Sequence, residues 1–187
     1  MKTRVATSYL SWEDYNSFLD YCRKNDERFI FIYASIATYC GLRMGDMLKL
    51  RWSDVSKEMI VVKEGKTGKV REIPAHPKLR EMLREIRRES DLDTNLIFSN
   101  RWGYSVSKQY LNNKLQSVFK ASGISVMGNV SSHMFRKTFG RRIFDNKEDK
   151  GRALVLLMDI FGHSSLEITK LYLGIRKEEI NEAYLGL

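Results

Sequence analysis

Apolar side chains recur at helical spacing soon after the start of the chain. Tyr15, Phe18, Leu19 and Cys22 share one face, and Ser11 with Asp14 three positions on has the form of a capping box, which predicts a helix over 12–24. The next stretch, Phe29 to Leu42, is apolar on most faces and interrupted by Ser35 and Thr38, so a largely buried helix is expected over 27–39, stopping near Gly41. A short helix over 44–51 follows. The period then changes. Met59-Ile60-Val61-Val62 and Val70-Arg71-Glu72-Ile73 are β-rich runs separated by the turn chemistry of Glu64-Gly65-Lys66-Thr67-Gly68-Lys69, a hairpin with a basic tip. His76 to Arg88 is amphipathic, with Leu79, Met82, Leu83 and Ile86 on one side, and Leu96-Ile97-Phe98 has the composition of a third short strand. Helices are expected over 106–121, 132–145, 151–161, 165–173 and 176–185. The pattern predicts a mainly α protein with a small antiparallel β-sheet, an α+β layout. With no repeat, linker or low-complexity tract, 1–187 reads as one domain.

Composition narrows the class. A chain of 187 residues buries roughly two-thirds of its unfolded surface and holds a core without disulfides or a structural metal. The 29–42 stretch is shorter than the roughly 20 residues of a membrane span, and no secretory signal follows Met1, so an intracellular protein without membrane contact is expected. Cys22 and Cys40, with no Cys-x-x-Cys, read as buried reduced thiols. Net charge is +9 and unevenly spread: Ser99 to Arg152 holds 11 basic residues against three acidic ones. That stretch suits a polyanion, or a solvated helix face.

Nucleotide-binding loops, GxSxG and HExxH are absent, and no clustered carboxylates suggest a Mg²⁺ site, which disfavours metal-dependent nuclease chemistry. Four segments carry candidate chemistry. Arg43 follows a helix-ending glycine in Gly41-Leu42-Arg43 and opens a new helix, a place to bind phosphate, although a surface Arg is the ordinary alternative. Lys66 tops the hairpin, where it can reach a groove or simply be solvated. His133 and Arg136 share one face at a helix start behind Ser131-Ser132; a core histidine is the competing reading. His163 lies between two helices and Tyr172 nine residues on, where packing is the alternative to catalysis.

Taken together, these segments resemble the tyrosine recombinases, or phage-integrase-type recombinases, over about Ser35 to Ala183. In that family an Arg follows Gly-Leu, a Lys sits in a hairpin, His-x-x-Arg opens a helix, and Gly-His precedes a Tyr by nine residues. Arg43, Lys66, His133, Arg136, His163 and Tyr172 match in order, Asp46 falls at the acidic position that supports the first Arg, and Thr138 fits the segment after His-x-x-Arg. Lys137 stands where many relatives have His, and Phe161 where Leu is usual. The resemblance implies the integrase catalytic-domain fold without the N-terminal core-binding clamp domain. It also implies a site-specific recombinase, expected to serve a mobile element, that cleaves and rejoins DNA through a 3′-phosphotyrosyl intermediate with no metal, ATP or other cofactor. Tyr172 would be the nucleophile, Arg43 and Arg136 the phosphate clamp, and Lys66 the acid for the 5′-oxygen; His133 and His163 would divide proton transfer and phosphate binding. Double-stranded DNA is the implied partner, in a nucleoid-associated homo-tetramer joined through the C-terminal helix 177–187. The alternatives are a topoisomerase IB-like relaxing enzyme and a catalytically silent DNA-binding regulator on the same fold.

Overall fold

The computed structural model describes residues 8–65, 68–88, 95–126, 128–175 and 184–186. Helix α1 (Trp12–Lys24) starts where the Ser11 hydroxyl accepts from the Asp14 N–H at 2.9 Å. Helix α2 (Arg28–Cys40) is buried on nearly every face and stops at Gly41, whose φ of +59° is left-handed. Short helices α3 (Met44–Met47) and α4 (Trp52–Val55) lead into an antiparallel pair, β1 (Met59–Lys63) and β2 (Val70–Pro74), in the register Ile60 to Ile73 and Val62 to Arg71. Then come α5 (Pro77–Arg88), α6 (Lys108–Ala121), α7 (His133–Asn146), α8 (Lys150–Phe161) and α9 (Leu166–Leu173). The molecule is thus mostly helical with one small sheet, and none of its described helices is long and apolar enough to cross a membrane.

Two apolar clusters hold the elements together, and α7 is shared by both. Its first turn sends Met134 and Phe135 into the larger cluster, where the Phe135 ring packs 5.6 Å from Phe18 and 6.0 Å from Tyr33. Further along, Phe139, Ile143 and Phe144 pack on the smaller cluster of Leu154, Leu157, Phe161, Leu173 and Ile175. Gly140 is where α7 meets α8 and α9: a Cβ there would stand 2.6 Å from Leu173 and 2.8 Å from the Phe161 ring. Cys22 and Cys40 are buried, unpaired thiols, both pushed up to about 12 by burial.

Three expectations change. Residues 96–98 make one isolated bridge, Leu96 to Arg51, because the chain turns after Phe98 into a tight Asn100–Gly103 bend; the sheet has two strands. The expected 44–51 helix ends after Met47 and a new one starts at Trp52, because the Asp54 carboxylate accepts the Arg51 N–H at 2.8 Å and caps a separate turn. Caps also move helix starts: Ser107 accepts the Tyr110 N–H, so α6 begins at Lys108 rather than 106, and α5 begins with Pro77 at its first position. The expected 176–185 helix lies outside the described residues except at its end, where Tyr184 and Leu185 are exposed.

Gly140→Ala forces the junction of α7, α8 and α9 apart. It is expected to cost about 1–3 kcal/mol, the usual penalty for overpacking, read as a lower midpoint in urea unfolding.

Candidate active site

The site is built around one backbone carbonyl. Helix α8 ends at Gly162, which is left-handed, and exposes the Phe161 carbonyl at the negative end of the helix. The Arg43 Nη2 donates to it at 2.6 Å and the Arg136 Nη2 at 3.2 Å, while Arg136 Nη1 donates to the Gly41 carbonyl at the end of α2. Both arginines therefore rest on helix C-termini, where cations are favoured. The Arg136 guanidinium also stacks 4.5 Å over the Phe161 ring. Burial pulls Arg136 from its ordinary value down to about 10, with the Tyr172 phenol opposing and Arg43 assisting, so Arg136 stays cationic at neutral pH.

The hairpin is tied to this pair. Glu64, 5% exposed, sets one carboxylate oxygen 3.0 Å from Arg43 Nη1 and the other 3.2 Å from Arg71 Nη1. Asp46, also buried, accepts the next N–H, that of Gly65, at 2.8 Å. The Asp46 carboxylate thus holds the base of the hairpin turn. Lys66 itself lies outside the described residues. Sequence reading passed over Glu64 and Arg71, but a signal existed: Ile60 and Val62 are the inward positions of β1, and continuing that two-residue period puts a carboxylate on the buried side at 64.

The remaining groups come from α7 and α9. His133 is exposed at the start of α7, and partial desolvation, then Arg136, Lys137 and Arg43, hold its imidazole below the ordinary value, so it is neutral at pH 7. His163 places Nδ1 3.0 Å from the Thr169 hydroxyl, and its ring stands edge-to-face 5.2 Å from Tyr172. The Tyr172 ring also packs 5.2 Å from Phe161, with the Lys137 ammonium 5.1 Å above it. Its hydroxyl is buried and faces the Arg136 guanidinium without a well-formed hydrogen bond. Burial pushes the phenol up to about 12, against the opposing charges of Arg136 and Arg43. Arg43, Arg136, His163 and Tyr172 converge, with His133 one turn before Arg136. Thr138 faces elsewhere: its hydroxyl accepts the Leu10 N–H at 2.9 Å and donates to the Met134 carbonyl, pinning the N-terminal segment to α7. Among the described residues, no group of three or more His, Cys, Asp or Glu is placed to hold a metal ion.

The phage integrase family model matches residues 8–179. The chain belongs to the phage integrase family. Among curated relatives of the chain, the tyrosine recombinase XerC of Pediococcus pentosaceus is 27% identical over 153 residues, covering 77% of this chain and 49% of that protein. The probable integrase/recombinase YoeC of Bacillus subtilis is 29% identical over 157 residues, 83% of this chain and 81% of that one. Among solved structures, XerH recombinase bound to palindromic difH substrate, a post-cleavage complex, superposes with a TM-score of 0.70 at 24% identity over 95% of this chain and 52% of that one, which shows a shared fold. The chain thus spans about half the length of the XerC and XerH proteins that it matches.

Two outcomes follow from the geometry. Glu64→Ala leaves Arg43 and Arg71 without their shared anion and should destabilise the fold, by less than the roughly 3–5 kcal/mol of a fully buried pair because both guanidiniums keep some water contact; urea unfolding reads it. Tyr172, raised in the folded state, stabilises the fold fully below its unfolded value near 10, and that contribution is lost as pH rises through about 12. An ultraviolet phenolate titration of wild type minus Tyr172→Phe should show this late ionisation.

Proposed function

We propose that this chain is the catalytic part of a site-specific DNA recombinase that cuts and rejoins strands through a 3′-phosphotyrosyl link. The observation that carries this reading is a buried tyrosine hydroxyl under the combined field of two converging guanidiniums, Arg136 the stronger of them. A phosphodiester repels nucleophiles and has a poor leaving group, so its charge must be neutralised and its leaving oxygen protonated. Arg43 and Arg136 supply the neutralising donors.

The shifted phenol sharpens the requirement. At pH 7 an unperturbed tyrosine costs roughly 4 kcal/mol to ionise, and one at about 12 costs roughly 7. Tyr172 therefore reacts as the phenol and must hand over its proton during attack. His163 and His133, the nearby imidazoles, are the acceptors available, and Lys66, by the family pattern, protonates the departing 5′-oxygen. The 3′-phosphotyrosyl bond conserves the energy of the broken diester, so rejoining to a 5′-hydroxyl needs neither ATP nor a metal. Double-stranded DNA would run along the open groove lined by Arg43, Lys108, Gln109, Asn112, Ser132 and His133, where the basic 99–152 stretch meets the arginine pair. Exchange between duplexes needs several copies, and we assign their contact to the C-terminal segment 177–187, adjoining α9, on which Ile168 and Leu171 are exposed.

Nicked duplexes with a randomised core, in which the short cleaved fragment diffuses away, test the reading. Wild type should accumulate a covalent protein–DNA adduct in the presence of EDTA and without ATP. Tyr172→Phe should form none, and Arg136→Ala should slow adduct formation by roughly 10²–10³, the loss expected for one preorganised donor. Adducts that survive Tyr172→Phe would reject the assignment.

A further inference from the structure

Lysine is seldom buried, because its ammonium gives up water that few interior groups replace. Lys137 is only 8% exposed, and desolvation holds its ammonium below the ordinary lysine value. It follows Arg136 on α7, about 100° further round the helix, so the two cations leave the helix in different directions. Arg136 reaches the Phe161 carbonyl and faces the Tyr172 hydroxyl, whereas the Lys137 Nζ stands 5.1 Å over the centre of the Tyr172 ring. Gly140, three residues on along the same face, is where α7 lets α9 close: a Cβ there would stand 2.6 Å from Leu173, the neighbour of Tyr172. We propose that Lys137 is a positioning residue that acts through the Tyr172 ring: its ammonium holds the ring and stabilises the negative charge that spreads into it when the phenol gives up its proton.

The rings of Phe161 and His163 stand edge-to-face with Tyr172, each 5.2 Å away, so the ring is held on several sides. A neutral phenol attracts a cation only through its π face. As the proton leaves, the charge on the oxygen is shared with the ring carbons by resonance, and the attraction becomes one between opposite charges in a water-poor site. The ammonium therefore favours the reacting phenol over the resting one, which is the condition for accelerating a step.

The consequence rests on the phosphotyrosyl reading. The Tyr172 oxygen bonds to phosphorus, its proton passes to an imidazole of the site, and the phosphorus–O5′ bond breaks with O5′ protonated by Lys66. In rejoining, the same phenol oxygen departs with its electron pair and takes a proton back. Both directions pass through the same charged phenol, so Lys137 accelerates both alike.

Lys137→Met removes the charge and keeps the length. On the nicked duplexes it should form adduct roughly tenfold more slowly at saturating DNA, with DNA affinity unchanged. The assay is run at about pH 8, where imidazole is neutral. Rejoining of the purified adduct to an added 5′-hydroxyl strand should slow by the same factor. Urea unfolding should come no earlier than in wild type, because an apolar side chain suits a buried position better than an ammonium. Lys137→Arg, cationic but unable to take up a proton, should restore most of both rates. A Lys137→Met protein that cuts at the wild-type rate overturns the proposal, as does a Lys137→Arg protein as slow as Lys137→Met. Should Lys137→Met fail to fold, Lys137→Gln removes the charge in its place. In spectra of the DNA-free protein, the Tyr172 ring current should displace the ε-methylene proton signal of Lys137 upfield, and Tyr172→Leu should return it; an undisplaced signal also overturns the proposal. A displaced signal from a wild type that forms no adduct upholds the ring contact and rejects the recombinase reading.

Discussion

Two cations do not gather unaided, and the Phe161 carbonyl is what gathers them. Arg43 and Arg136 come from separate parts of the chain and repel each other, yet both donate to this one oxygen at the negative end of α8. The Gly41 carbonyl at the end of α2 accepts from Arg136, and the Glu64 carboxylate forms an ion pair with Arg43. Folding therefore assembles the guanidinium pair before any phosphate arrives, and the cost of bringing like charges together is met by backbone dipoles and one buried anion. A site of that kind needs little rearrangement at the moment of reaction.

The same contact places the pair at a seam. Helix α7 feeds Phe135 to the large core and Phe139 to the small one, and Arg136 lies between them on the same helix. The small core, through Phe161 and Leu173, sets α8 and α9 against α7, and the close approach at Gly140 brings Tyr172 within range. Packing of apolar side chains thus decides the distance between the Tyr172 phenol and the two cations, through residues such as Gly140 and Leu173.

Burial gives the tyrosine a second property. A phenol raised to about 12 is almost entirely protonated at neutral pH. His163 contacts the Thr169 hydroxyl, and burial, then the cations around it, hold the His133 imidazole below its ordinary value.

The chain's own periodicity determined much of this. Helical spacing at Tyr15, Phe18, Leu19 and Cys22, the left-handed stop at Gly41 and the β-rich runs around the 64–69 turn are local signals, because caps, turns and amphipathic faces are set by neighbours in sequence. The spacing from His163 to Tyr172 was legible for the same reason. The third strand at 96–98 was not, because strand formation needs a partner and only Arg51 is offered. Glu64 went unseen because its partner Arg43 lies some twenty positions away, Arg71 because its partner Glu64 lies across the hairpin turn, and the pivotal Phe161 carbonyl because a backbone oxygen leaves no trace in the identity of a residue. Residue identity determined which side chains could do chemistry; only the tertiary packing of α7, α8 and α9 decided that Arg43, Arg136, His163 and Tyr172 meet, since desolvation and like-charge convergence exist only once distant segments come together.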